Sequence, residues 1–389
     1  MNSLIHDRKL GIISPLEFSK TLIESTYISL HPHNTNYHSN GSINCLSLEN
    51  HEFKYLLSGS ADSSIKLWES SETSDEFLTN LDSGFDFSGE EPISSLKSTA
   101  KNQGLRLLGT IPRKTGHDFG VSYVQWWPVD TGMFISSSFD HTVKIWDTNE
   151  FSIIKEFNLN NRVYSFDIKN NLIAIASDQP FIRLLDINST STAQTIKGHK
   201  GKTITVKWHP KDENILASGG FDGEIKIWDI RRSNNCLCRL DMLNTSNYYN
   251  EDLTKESIKA HSAPVNGLVW DKLGHTLFST GNDDKIKVWD MLSNYPPKNK
   301  LINFGPLTRN KFLQNLPLTL NYNYENDLQY IIFPSDNGDL FFFRTVDGKL
   351  VKRIRQDSGR IVSLAMDRPF SNEFYCGTIN GDILGFKSY

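Results

Sequence analysis

The chain is poor in cysteine: four occur in 389 residues, and only Cys236 and Cys238 lie close together. No second cysteine or histidine pair stands at zinc-ligand spacing from them, so no metal site is expected. Scattered thiols read as free cysteines of a reducing compartment. No run reaches the roughly 18–20 apolar residues of a membrane span. The amino-terminal MNSLIHDRKLGIIS carries charges where a signal peptide needs an apolar stretch. A soluble, intracellular protein with no membrane partner is expected. Basic excess is also missing, since 41 Lys and Arg face 45 Asp and Glu for a formal net charge of −4. That balance argues against direct contact with nucleic acid. Glycine-rich phosphate loops, HExxH and paired metal carboxylates are all absent, so neither a cofactor nor an enzyme is expected. Aromatic residues, by contrast, are plentiful: eight Trp, 13 Tyr and 23 Phe. They suit many short strands packed on pleated surfaces.

The aromatic residues fall into a repeat. YLLSGSADSSIKLWE (55–69), MFISSSFDHTVKIWD (133–147), ILASGGFDGEIKIWD (215–229) and TLFSTGNDDKIKVWD (276–290) share one layout. A small, apolar strand leads to a turn with Asp, then to an alternating strand ending in Trp. Asp precedes Trp by six residues each time: Asp62/Trp68, Asp140/Trp146, Asp222/Trp228 and Asp283/Trp289. Weaker copies place Leu185, Phe343 and Phe386 at the Trp position, with Asn337 and Asn380 replacing Asp in the last two. Seven marks, some spaced by 39 and 43 residues, match the roughly 40–45 residues of a four-stranded blade. One such sheet cannot bury both its faces alone, and a closed ring of them can. The reading is an all-β protein, a seven-bladed WD-repeat β-propeller spanning 25–389 with a short N-terminal helical segment over 1–24. Because Phe386 lies so near the end of the chain, Ser25–Leu30 (STYISL) is expected to supply the outer strand of the last blade.

Ser–His–Asp sets also repeat. His199, Ser218 and Asp222 accompany Trp228; His261, Ser279 and Asp283 accompany Trp289; His117, Ser136 and Asp140 accompany Trp146. A catalytic triad would occur once, in an exposed site. A constellation that recurs beside a Trp is better read as a hydrogen-bonding device inside each blade.

Residues 69–104 interrupt the pattern with eight acidic residues before Lys97, and a disordered acidic insertion is expected there. Segments 244–257 and 292–315 are read as loops. At the N-terminus, Ser14-Pro15-Leu16-Glu17 is a capping box with Pro in the first turn, followed by Phe18, Leu22 and Ile23. A short helix over Ser3–Lys9 is expected before it, stopped by Gly11. Such a hairpin either folds back over the blades or enters a partner's groove. The residues leave both open.

The segment VQWWPVDTGMFISSSFDHTVKIWDTN (124–149) resembles the Cockayne syndrome group A family, as do RKLGIISPLEFSKTLIEST (8–26), WDIRRSNNCL (228–237) and AHSAPVNGL (260–268). The resemblance implies a nuclear substrate receptor of a cullin-4 RING ubiquitin ligase, acting in transcription-coupled nucleotide excision repair. Its implied adaptor is the large subunit of damaged-DNA-binding protein; stalled RNA polymerase II and repair factors lie on the substrate side. Leu16 and Phe18 of the helix and Asp229 and Arg231 of the WDxR box (216–231) are the implied adaptor contacts. Arg231 is expected to fork onto partner carbonyls or carboxylates. The other WD copies have Thr148 or Met291 after the WD pair, so one box is present. The acidic insertion and the missing acidic tail depart from the family. A general WD-repeat scaffold in chromatin or RNA processing is the alternative.

Overall fold

The structure is a computed structural model, and it describes the chain apart from residues 1–5, 7, 11, 38–40, 71–104, 233–235, 245–258, 293–296, 317, 324–327, 357–358, 367–373 and 389. Seven four-stranded antiparallel sheets follow one another as blades of a ring. Blade 1 is β2 (Ile43–Leu48), β3 (Tyr55–Ser60), β4 (Ile65–Glu69) and β5 (Arg106–Ile111). Blades 2 to 5 run β6–β9, β10–β13, β14–β17 and β18–β21, from Val121 to Asn299. Blade 6 is β22 (Thr319–Asn323), β23 (Leu328–Pro334), β24 (Leu340–Arg344) and β25 (Leu350–Ile354). Blade 7 takes β26 (Ile361–Met366), β27 (Phe374–Thr378) and β28 (Asp382–Ser388) from the C-terminus and β1 (Leu30–Tyr37) from the N-terminus.

The ring therefore closes as expected, but with a different strand. β1 pairs with β28 from Leu30↔Ser388 to Tyr37↔Asp382. Ser25–Ile28 instead form the last turn of α1 (Pro15–Ile28), so the helix runs past position 24. The β-branched and aromatic residues at 26–28 mimic strand composition. A helix already nucleated by its capping box continues through them, because Tyr27 gains a buried contact there. β1 needs less of a pattern: an outermost strand is held by backbone pairing to β28.

Burial explains why the repeat reads as it does. The second strand of blades 1 to 5 is buried along nearly its whole length, whereas the outer strands β5, β9 (Ile153–Asn158) and β13 (Ser191–Lys197) are largely exposed. Interior strands covered on both faces lose polar alternation. The core consists of layers between blades; Leu57, Ile65 and Leu67 of blade 1 pack with Val121, Val124 and Trp146 of blade 2. Gly59 and Gly219 sit where adjacent blades touch. A Cβ on Gly59 would lie 2.6 Å from Cys45 and 2.7 Å from Val121, and one on Gly219 2.6 Å from Val265.

Arg106–Ile111 resumes as strand after the acidic insertion, of which residues 71–104 lie outside the described residues. Most of 244–257 does too. Segment 292–315 is not all loop: Lys298–Asn299 is the short outer strand of blade 5, β21. Of the helix expected over Ser3–Lys9, the described His6, Arg8 and Lys9 are helical; the rest, with Gly11, lies outside. All four cysteines are free. Among the described residues no helix is long and apolar enough to cross a membrane, and no cluster of three metal-ligating side chains occurs.

Candidate functional site

The three Ser–His–Asp sets are buried hydrogen-bond chains. In blade 4 the Trp228 indole N–H donates to Ser218 Oγ at 2.7 Å, His199 Nε2 lies 2.7 Å from that oxygen, and Nδ1 lies 3.1 Å from Asp222. Blade 2 repeats this with Trp146, Ser136, His117 and Asp140, and blade 5 with Trp289, Ser279, His261 and Asp283. Trp can only donate, so Ser accepts from Trp and gives its own proton to His Nε2. The imidazole then keeps its proton on Nδ1, for Asp. Burial opposes the charge on Asp222 and Asp283, but the bonds from His199 and His261 outweigh it and hold both carboxyls at about 2. Burial pushes the His261 imidazole below its ordinary value. Ser136, Ser218 and Ser279 are fully buried. Their hydroxyls bridge Trp to His inside the blade, out of reach of a substrate.

The degenerate blades solve the same problem without polar groups, a signal the sequence reading missed. By register, Phe333 occupies the Ser218 position of blade 6 and Phe343 the Trp228 position. Ile175 and Leu185 replace the pair in blade 3, and Cys376 and Phe386 in blade 7. Losing both partners together leaves no orphaned donor, so the exchange is nearly neutral.

The WDxR box lies at the turn after β16 (Ile225–Asp229). Asp229 is buried, accepts the Arg231 backbone N–H at 3.0 Å, and takes Arg231 Nε and Nη2 at 2.9 and 2.8 Å. The fork expected for a partner is thus already closed within the chain. The Arg231 side chain is 62% exposed, and Nη1 carries no bond among the described residues. The Arg231 bonds, chiefly, hold the Asp229 carboxyl at about 2. Asp147, Asp186 and Asp290 hold the matching turns of blades 2, 3 and 5 by accepting backbone N–H groups. Asp229 is therefore an ordinary turn device with an arginine added.

The N-terminal helix is seated on blade 6. Both halves of the capping box are made: Ser14 Oγ accepts from the Glu17 amide, and the Glu17 carboxylate accepts from the Ser14 amide. At its other end Tyr27 is 1% exposed, with ring centroids 5.0 Å from Tyr330 and 5.3 Å from Phe342. Asn321 Nδ2 donates to its hydroxyl, and burial pushes that phenol well above its ordinary value. Arg344 Nη1 donates to Glu24 at 2.7 Å while Nε donates to Asp347 at 2.8 Å. Lys352 donates to the Ile28 carbonyl, and a cation favours a helix C-terminus. The C-terminal half of the helix thus folds back on the blades.

Of the implied adaptor contacts, Phe18 is half-buried on the helix; Leu16 is helical, and its side chain lies outside the described residues. Leu22 and Ile28 are exposed. Asp229 ends the third strand of blade 4 with Arg231 just beyond it, and Arg344 ends that of blade 6 with Asp347 just beyond it, so box and helix joint share one end of the ring. No described contact joins them. The reading missed Glu24, Tyr27, Arg344 and Lys352. One signal was available: Arg344 stands where blades 2 to 5 carry Asp after the Trp position.

The WD domain, G-beta repeat family matches residues 30–69, 107–147, 190–229 and 253–290. The chain is 27% identical to WD repeat-containing protein ATCSA-1 of Arabidopsis thaliana, over 80% of each chain. It is 27% identical to radiation-sensitive protein 28 of Saccharomyces cerevisiae, over 61% of this chain and 51% of that one. Ribosome biogenesis protein YTM1 of Chaetomium thermophilum is 26% identical over 65% of this chain and 53% of its own length. The chain thus spans about half of these last two relatives.

Proposed function

We propose that this WD-repeat protein is the substrate-recognition subunit of a cullin-4 RING ubiquitin ligase acting in transcription-coupled nucleotide excision repair, in the nucleus. The large subunit of damaged-DNA-binding protein would be its adaptor, with stalled RNA polymerase II and repair factors on the opposite face. The carrying observation is the end of the ring that combines a clamped helix with the exposed Arg231. Seating by Tyr27 and Arg344 makes the helix a rigid projection, so a partner need not order it on binding. Arg231, fixed by Asp229, presents one unspent edge of its guanidinium. Similarity to ATCSA-1 over four-fifths of both chains supports the reading, as does similarity to a protein named for radiation sensitivity.

The competing reading is a general scaffold in chromatin or RNA processing, favoured by the likeness to a ribosome biogenesis protein. Affinity purification with mass spectrometry, before and after ultraviolet damage, separates the two. The adaptor should be recovered with the intact chain. It should be lost when Arg231→Glu is combined with removal of residues 1–20, a cut that leaves Glu24 and Tyr27 in place. Normal recovery by that variant, or ribosome assembly factors in place of the adaptor, would sink the ligase reading.

A further inference from the structure

Blade 5 has the least outer-strand pairing of the seven among the described residues. In blade 3 the outer strand β13 matches β12 (Phe181–Asp186) at six residue pairs, whereas in blade 5 β21 matches β20 (Lys285–Asp290) at two, Trp289↔Asn299 and Asp290↔Lys298. The Lys300 amide still donates to the Val288 carbonyl at 2.8 Å. Leu301 then takes φ +55°, a left-handed conformation that turns the chain off the sheet. Ile286 presents its amide groups to the same side as Val288, because that direction alternates along an antiparallel strand. Among the described residues nothing pairs with it there.

A groove of about 700 Å³ lies between this edge and the segment 299–309. Leu243 and Leu301 line it at 66% and 68% exposure, and Ile302 and Phe304 lie deeper. Its charge is not balanced. Asp283 is committed to His261, and Asp284 to Lys311 at 2.8 Å. Lys285 and Arg309 line the same groove with no ion-pair partner among the described residues.

We infer that this groove takes an extended acidic segment of a partner protein, which adds to β20 as the missing outer strand of blade 5. Backbone groups of Ile286 pair with the segment, alternate side chains cover Leu243 and Leu301, and the intervening carboxylates meet Lys285 and Arg309. The site is independent of the ligase reading, since it lies on a different blade from both the helix and the WDxR box.

Fluorescence anisotropy with a labelled acetyl-Asp-Leu-Asp-Leu-Asp-Leu-amide probe tests this on the full chain. Micromolar binding is expected, weakened by about tenfold or more in K285E/R309E. N-methylation at alternate backbone amides of the probe, or Lys in place of its Asp, should abolish binding. An unchanged thermal midpoint shows that the variant is folded. The inference is overturned if the folded chain ignores the probe, if K285E/R309E binds it equally, or if the methylated probe still binds. Binding only after residues 246–257 are replaced by a Gly/Ser linker would assign the groove to that segment instead. Self-association abolished by K285E/R309E would assign it to a second copy.

Discussion

Blades 4 and 6 carry the same two charges at the same turn with the polarity reversed. In blade 4 Asp229 follows the Trp position and binds an arginine two residues on. In blade 6 Arg344 follows the Phe343 that replaces Trp, and binds an aspartate three residues on. The buried member is the carboxylate in one case and the guanidinium in the other. Arg231 is mostly exposed, whereas the Arg344 side chain is 7% exposed. A buried carboxylate can only accept, and the backbone amide and guanidinium of Arg231 satisfy it within its own turn. A buried guanidinium has five donors in a fork, more than one aspartate can use. Its surplus is spent on Glu24, a residue 320 positions away that belongs to the helix. Reversing the pair converts a turn-stabiliser into a clamp, and leaves blade 4 with the arginine that a partner can reach.

The largest expected effect is on the clamp. Tyr27→Ala should destabilise the protein by about 3 kcal/mol, from the cavity left between Tyr330 and Phe342. The urea midpoint reports it, and a loss below about 1 kcal/mol would show that the helix contributes little to closing the ring. Arg344→Ala should cost roughly 2 kcal/mol by stranding Glu24 and Asp347. Exchanging the pair as R344D/D347R gives blade 6 the polarity of blade 4. It should free the helix, seen as early protease cleavage within 15–28, while the ring stays folded.

Acid offers a subtler separation. Asp347, held at about 2 chiefly by Arg344, matches Asp229 in direction and cause. Both carboxyls lie below their unfolded value near 3.9, so their contribution is present above about pH 4 and fades as pH falls toward 2. Protonating Asp347 weakens the clamp, while protonating Asp229 loosens only a turn. Hydrogen exchange corrected for intrinsic rates should therefore rise first in the helix; equal rises in both places would contradict the distinction. The smallest effect on stability belongs to Arg231→Ala. A small loss, well below that of Arg344→Ala, is expected in the urea midpoint, because Asp229 keeps the backbone N–H of residue 231 and the neighbouring Arg232, and the main loss is in partner recovery. A drop as large as that of Arg344→Ala would make Arg231 structural.

The strong repeats were legible because three of the four bury a Ser–His–Asp chain under a Trp and the fourth keeps the Trp68–Ser58 bond, and buried polar groups tolerate few substitutions. The weak blades were legible only through their spacing, since Phe333 with Phe343 and Ile175 with Leu185 follow no polar rule. Arg231 stood out through the family resemblance, but its commitment to Asp229 could not be read from the sequence. A side chain two residues away in sequence becomes a bidentate partner only once the turn is formed. The helix start was legible from local hydrogen bonds, Ser14 with Glu17. Its end was not, because the tail of the helix is held by blade 6, more than 300 residues on.

By itself the sequence determined the seven blades, their antiparallel strands and the buried polar sets, because these follow from periodicities and offsets within some 40 residues. Tertiary structure alone decided which segment closes the ring, where the helix rests, and which of two reversed arginine–aspartate pairs faces solvent. Those outcomes depend on contacts between distant residues, whose energies no local pattern encodes.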